Sequence, residues 1–214
     1  MINRVNNFNP GPSTLPLEVL QIVQEELLDY KGTGMSVMEI SHRSPEYNEI
    51  NNQAITLVKK LMGLGDNFHV IFVGGGASTQ FSHIPLNFLA EDKTAAYVDT
   101  GTWSTKAIKE AQNLGNVHLA ASSKDAGYTY VPMVNEIDFS NDAAYLHLTS
   151  NNTIKGTQYH EFPDSGSVPL ICDMSSDILS HQVEFNKFSM IYAGAQKNLG
   201  PSGVALVILR DDML

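Results

Sequence analysis

His69-Val70-Ile71-Phe72-Val73-Gly74-Gly75-Gly76-Ala77-Ser78-Thr79 decides the fold. Its first five residues are apolar, β-branched or aromatic, and too few for a helix, so they read as a buried strand. Three glycines break that strand, and residues 79–89 then carry a helical pattern. The same unit repeats downstream. Residues 95–99 read as a strand, 103–112 as a helix and 117–121 as a strand. Apolar runs at 143–148, 170–173, 190–193 and 204–209 come next, which makes seven strands in all. Strands alternating with helices imply an α/β fold, a mostly parallel seven-stranded sheet with helices on both faces. The link at 196–203 is too short for a helical crossover, so 204–209 is expected to run antiparallel to 190–193.

Residues 1–16 read as an N-terminal loop-like segment broken by Pro10, Gly11, Pro12 and Pro16. Ser13 or Thr14 can cap the helix that begins just beyond it. Leu17, Leu20, Val23, Leu27 and Leu28 recur at helical spacing, which predicts an amphipathic helix over 17–30, stopped by Gly32 and Gly34. Pro45 opens a second helix with Ile50, Ile55, Val58, Leu61 and Met62 on one side. Residues 17–214 form one domain, and no internal repeat interrupts them.

Composition narrows the function. The chain has 214 residues, 43% hydrophobic and 17% charged, as a soluble globular protein with a sizeable core requires. Its net charge of −10 comes from scattered acids, which reads as a solvated surface and argues against nucleic acid as a partner. The single cysteine, Cys172, excludes a disulfide within the chain and points to a reducing, cytoplasmic setting. It also excludes a zinc site built from several thiolates, and the histidines show no metal-ligand spacing. The first ten residues lack an apolar signal core, and no apolar run approaches the roughly twenty residues that span a bilayer.

In a sheet of this kind ligands gather beyond the carboxyl ends of the strands. Gly76-Ala77-Ser78-Thr79, Trp103, Thr153, Asp173 and Gln196-Lys197 all fall there. Asp173 closes the run Val168-Pro169-Leu170-Ile171-Cys172, and an acid at the end of a buried strand is costly unless it meets a cation or a donor. Taken alone it reads equally as a loop cap or an arginine's partner. Lys197 comes after Met190-Ile191-Tyr192-Ala193, within Gly194-Ala195-Gln196-Lys197-Asn198. It reads either as an ordinary surface lysine or as an amine held at a strand end. Pyridoxal phosphate uses such a pair, an amine for the covalent link and a carboxylate for the pyridinium nitrogen. The glycine turn before Ala77 offers N–H groups and a positive helix end to an anion. It lacks both the dinucleotide and the Walker patterns, and an ordinary tight turn stays open. Trp103, the only tryptophan, can stack on a ring or fill core. Cys172 lies one residue before Asp173 and so points to the opposite face, as a buried structural thiol.

Four collinear stretches carry a resemblance. They are Asn7-Phe8-Asn9-Pro10-Gly11-Pro12-Ser13-Thr14-Leu15-Pro16, Ser36-Val37-Met38-Glu39-Ile40-Ser41-His42-Arg43-Ser44, Gly75-Gly76-Ala77-Ser78-Thr79-Gln80-Phe81 and Tyr192-Ala193-Gly194-Ala195-Gln196-Lys197-Asn198-Leu199-Gly200-Pro201. They resemble the phosphoserine aminotransferases, class V pyridoxal-phosphate enzymes of fold type I, along the whole chain. The resemblance implies pyridoxal 5′-phosphate as cofactor, with Lys197 as the covalent lysine, Asp173 at the pyridinium nitrogen and Trp103 on the ring. It assigns Ala77, Ser78 and Gln196 to the phosphate and Thr153 to a cofactor contact. It gives Arg43 to the substrate α-carboxylate and His42 to the substrate phosphate.

The implied reaction moves the amino group of L-glutamate to 3-phosphohydroxypyruvate, giving O-phospho-L-serine and 2-oxoglutarate, or performs the analogous step of pyridoxine biosynthesis. The implied assembly is a homodimer. Family members are longer and add a C-terminal small domain, so residues 17–214 are expected to be the cofactor-binding large domain without it. Another class V aminotransferase, such as an alanine–glyoxylate enzyme, and an inactive cofactor-binding fragment are the alternatives.

Overall fold

The computed structural model describes residues 4–214. Nine strands form: β1 (Phe68–Gly74), β2 (Thr94–Asp99), β3 (Asn116–Ser122), β4 (Leu146–Thr149), β5 (Asn151–Asn152), β6 (Thr157–Gln158), β7 (Leu170–Asp173), β8 (Met190–Gly194) and β9 (Val204–Arg210). Seven of them build one sheet in the order β1-β9-β8-β7-β4-β2-β3, and β5 and β6 pair as a separate hairpin. The pairs β8–β7, β7–β4, β4–β2 and β2–β3 are parallel. β9 runs antiparallel to both its neighbours, β8 and β1. The short 196–203 link does force the reversal expected of it.

Helix α1 (Leu17–Glu26) precedes the sheet, as does α2 (Pro45–Met62); α3 (Ala77–Phe88) comes after β1 and α4 (Thr102–Gln112) after β2. Side chains alternate across the strands and make a core on each face. On one face Leu146, Leu148, Leu170, Cys172, Ile191 and Ile208 meet Val58 and Met62 of α2. On the other, Tyr97, Ile171, Tyr192 and Val207 meet Phe81 and Ile84 of α3 and Ala107 and Ala111 of α4. Cys172 and Ile171 thus fall on opposite faces, and Asp173 shares the α3–α4 side with Ile171.

A buried polar layer runs through that second core. The Tyr97 and Tyr145 hydroxyls lie 2.9 Å apart, and His147 Nε2 is 2.9 Å from the Tyr192 hydroxyl. The His147 ring stacks on Tyr97, and burial pushes its pKa down to about 3. It is therefore a neutral core histidine.

Two local expectations give way. The first helix stops at Glu26 rather than reaching residue 30, and none of its residues is buried. Val19, Leu20, Ile22, Val23, Leu27 and Leu28 stay exposed, so nothing packs against the apolar stripe to sustain another turn. The β5–β6 hairpin arises in an Asn-rich stretch with no apolar alternation to announce it. No helix among the described residues is long and apolar enough to cross a membrane.

Candidate active site

The carboxyl ends of β1, β2, β4, β7 and β8 surround a pocket of about 110 Å³. Gly76, Ala77, Ser78, Trp103, Asp173, Gln196 and Lys197 line it, together with Phe81, Thr149, Asn151, Ser175 and Ser176. Seven of these twelve positions come from three short segments that lie just beyond strand ends.

Asp173 ends β7, opposite Thr149 of β4 and Tyr192 of β8. The residue is 4% exposed, and burial pushes its pKa up. Hydrogen bonds from the Ser175 hydroxyl and backbone oppose the rise, as does the charge of Lys197. Both hydrogen bonds reach the same oxygen: Ser175 N–H donates to Oδ1 at 2.9 Å and Ser175 Oγ at 2.6 Å.

Lys197 sits beyond β8 in a tight turn, where Gly200 N–H donates to the Ala195 carbonyl at 2.8 Å. The N-terminal segment braces that turn. Ser13 N–H donates to the Gln196 carbonyl at 2.8 Å, and the Ser13 hydroxyl donates to the Lys197 carbonyl. Lys197 Nζ stands 5.6 Å from the centroid of the Trp103 ring, over its face. A cation over an indole face is attracted by the ring quadrupole.

Trp103 owes its place to the start of α4. Ser104 Oγ accepts from Thr100 N–H and Gly101 N–H at 2.9 Å each, and it lies 2.9 Å from Asp99 Oδ1, to which it can donate. Asp99 also accepts from Tyr128 OH at 3.0 Å. Asn152 Nδ2 donates to the Thr100 carbonyl at 2.6 Å and ties the β5–β6 hairpin to the same corner.

The pocket's chemistry fits a flat, anionic, hydrogen-bonding ligand. α3 begins at Gly76 with no side-chain cap, so first-turn N–H groups remain for an anion beside the Ser78 hydroxyl. Trp103 Nε1, Thr149 Oγ1 and Gln196 Oε1 are buried without partners. These three atoms belong to pocket-lining residues and are free to pair with a ligand bound there. An amine, a buried carboxylate with one oxygen to spare, an indole face and an anion-binding helix end match the parts of pyridoxal phosphate.

Three residues named from the sequence lie outside this group. Thr153 is exposed and starts the turn between β5 and β6, while Thr149 and Asn151 face the pocket in its stead. His42 and Arg43 are exposed on the loop before α2 and do not line the pocket. Arg43 N–H donates to Ser41 Oγ at 3.2 Å. The sequence reading missed Thr149, Asn151, Ser175 and Ser176. Ser175 carried a usable signal, since a serine two residues after a strand-end aspartate is placed to donate back to it.

A model of the family "Aminotransferase class-V" matches residues 5–214. The chain belongs to the class V aminotransferase family. A phosphoserine aminotransferase of Desulfatibacillum aliphaticivorans is 58% identical over 215 residues, covering 100% of this chain and 59% of that relative. The chain therefore spans 59% of the length of the curated relatives that resemble it so closely. Among solved structures, phosphoserine aminotransferase from Bacillus circulans subsp. alkalophilus superposes with a TM-score of 0.94 at 56% identity, over 97% of this chain and 57% of that one. A pyridoxal-phosphate-bound phosphoserine aminotransferase from Trichomonas vaginalis superposes at 0.88 with 40% identity, over 99% of this chain and 59% of that one. The fold is that of the fold-type-I aminotransferases, as the resemblance of the four sequence stretches implied.

Proposed function

We propose that this class V chain is the pyridoxal 5′-phosphate-binding part of a phosphoserine aminotransferase. The reaction would transfer the amino group of L-glutamate to 3-phosphohydroxypyruvate, giving O-phospho-L-serine and 2-oxoglutarate. The observation that carries the reading is the single pocket shared by Lys197, Asp173, Trp103 and the uncapped start of α3. Relatives of that name at 52–58% identity support the substrate assignment.

Bound in this pocket, pyridoxal phosphate supplies an electrophilic carbon and a ring that accepts electrons. The chain's own groups do the rest. Lys197 Nζ would hold the cofactor covalently and serve as the base that moves the proton at the substrate α-carbon. Asp173 would meet the ring nitrogen through Oδ2, the oxygen Ser175 leaves unoccupied. Trp103 would lie against the ring and exclude water. Ala77 N–H, Ser78 and Gln196 would bind the phosphate, and Thr153, exposed in this structure, is assigned a cofactor contact by the family resemblance alone. Arg43 holds the substrate carboxylate, for which a guanidinium fork is well shaped, and His42 meets its phosphate. The same reading makes residues 17–214 the large domain of a cytoplasmic homodimer. With Arg43 and His42 outside the pocket, substrate binding needs an approach of that loop or of a second subunit.

The test is to mix the purified chain with pyridoxal phosphate, reduce with borohydride and map the label, then assay glutamate with phosphorylated and unphosphorylated keto acids. Label on Lys197 and a preference for 3-phosphohydroxypyruvate is the expected outcome. Preference for glyoxylate or pyruvate would reassign the substrate within class V, and absence of any label would remove the cofactor.

A further inference from the structure

In its proposed role Asp173 acts as a turned, ionised carboxylate, and burial opposes the ionised form. Only one residue touches its carboxyl group among the described hydrogen bonds. Ser175 donates twice to Oδ1, from N–H at 2.9 Å and from Oγ at 2.6 Å. Thr149, its neighbour in register on β4, leaves its own hydroxyl unpartnered, so it does not hold the acid. Lys197 acts on it by charge alone.

The Ser175 hydroxyl is itself aimed. A hydroxyl carries one proton and two lone pairs. One lone pair accepts from Gly194 N–H at 3.1 Å, and this leaves the proton to point at Asp173. Gly194 closes β8, three residues before Lys197. A polarised chain therefore runs from the backbone of the lysine's strand, through one serine hydroxyl, to the carboxylate. Successive hydrogen bonds of this kind strengthen one another in a low dielectric.

We propose that Ser175 is a positioning residue, which fixes the Asp173 carboxylate by occupying Oδ1 and so reserves Oδ2 for the ligand in the pocket. The proposal rests on the cofactor reading for what Oδ2 meets, but not for the hold on Asp173. Without the hydroxyl, Asp173 keeps the backbone N–H, becomes free to rotate about its terminal bond and loses a charge-assisted donor. Its ionised form is then held less well.

Five variants of the full chain test this: Ser175→Ala, Ser175→Thr, Ser175→Cys, Asp173→Asn and the Ser175→Ala/Asp173→Asn double. The first readout is the Asp173 carboxyl titration by carbon NMR in cofactor-free protein, with the Asp173→Asn chain identifying the resonance. Ser175→Ala should move the titration to higher pH, and Ser175→Thr should return it to the parent's. Ser175→Cys, a weaker donor of similar size, should move it in the same direction as alanine and serves if the alanine chain folds poorly. The second readout is pyridoxal phosphate affinity, followed by absorbance and borohydride trapping. Ser175→Ala should weaken it about tenfold, the low end for a hydrogen bond to a charged group. In the Asp173→Asn background the same change should leave affinity within about twofold, because the serine acts through the acid. A carboxyl titration that superimposes on the parent's in both Ser175→Ala and Ser175→Cys overturns the proposal. So does an equal affinity loss with and without Asp173. If the parent chain binds no pyridoxal phosphate, the cofactor reading fails instead, and the titration still decides whether Ser175 holds the acid.

Discussion

Gly101→Ala should damage the chain out of proportion to one methyl group. Gly101 is the N-cap of α4, with φ +153°, where L side chains are rarely found. A Cβ built there lies 2.1 Å from Asn152 Nδ2 and 2.7 Å from its Cγ. Asn152 therefore has to move, and it is buried and donates at 2.6 Å to the buried Thr100 carbonyl. Losing that bond and leaving a buried carbonyl unpaired costs about 1–3 kcal/mol. The backbone conformation adds about 1 kcal/mol. The total is about 2–4 kcal/mol, a shift of very roughly 5–15 °C in melting temperature for a chain of this size. Urea unfolding followed by the fluorescence of Trp103, two residues along the same helix, measures it. Asn152→Ala alone should cost about 1–3 kcal/mol for the lost bond, and the double variant should cost clearly less than the sum, since the alanine removes what Cβ strikes. A Gly101→Ala chain within about 0.5 kcal/mol of the parent, the scatter of neutral surface changes, would refute the argument. Strict additivity of the two substitutions would refute the collision as its cause.

The same geometry sets further expectations. Lys197→Ala should bind pyridoxal phosphate without a covalent link, so borohydride no longer attaches it; label recovered on another lysine would reassign the residue. Asp173→Asn should stabilise the cofactor-free chain at neutral pH, because burial raises the acid's pKa when folded. The stability Asp173 contributes is full below the ordinary carboxylate pKa and is lost as pH rises through the raised one, so the gain should vanish in acid; parallel pH–stability curves would show that the acid is comfortable where it is. In the role proposed for Arg43, which the geometry alone does not assign, Arg43→Lys should leave cofactor binding unchanged and weaken glutamate, since an ammonium cannot reproduce a bidentate carboxylate contact. An unchanged glutamate half-reaction would take Arg43 out of the substrate site.

Much of the fold was legible because its strands are short, apolar and separated by glycine or polar turns. The run from His69 to Val73 meets a glycine triplet, and the structure ends β1 at Gly74. The reversal of β9 could be read from the length of one link. The first helix was overextended because Leu27 and Leu28 continue its spacing, whereas in the structure both are exposed. Periodicity reports what a helix could bury and not whether a partner is present to bury it. The β5–β6 hairpin was invisible for the opposite reason: two-residue strands rich in asparagine carry no period at all.

The site divides along the same physical line. Lys197, Asp173, Trp103, Gln196 and the start of α3 sit at strand ends, just beyond them or at helix starts, so placing the strands places them. Arg43, His42 and Thr153 depend on loops, and the structure leaves all three exposed. Ser175, Asn152 and Gly101 form a third kind. Apart from the two-residue spacing of Ser175 from Asp173, nothing in the sequence signals a role for them; each acquires one from a neighbour brought close by the fold. Ser175 meets Asp173 by local turn geometry and Gly194 through the pairing of β7 with β8. Gly101 must lack a side chain because Asn152 arrives from a hairpin some fifty residues away. The groups proposed to react are thus readable one at a time, while the groups that hold them in register become visible only as pairs. A carboxylate whose ionised form burial opposes, and which among the described hydrogen bonds Ser175 alone holds, suits a site organised for its ligand rather than for its own stability.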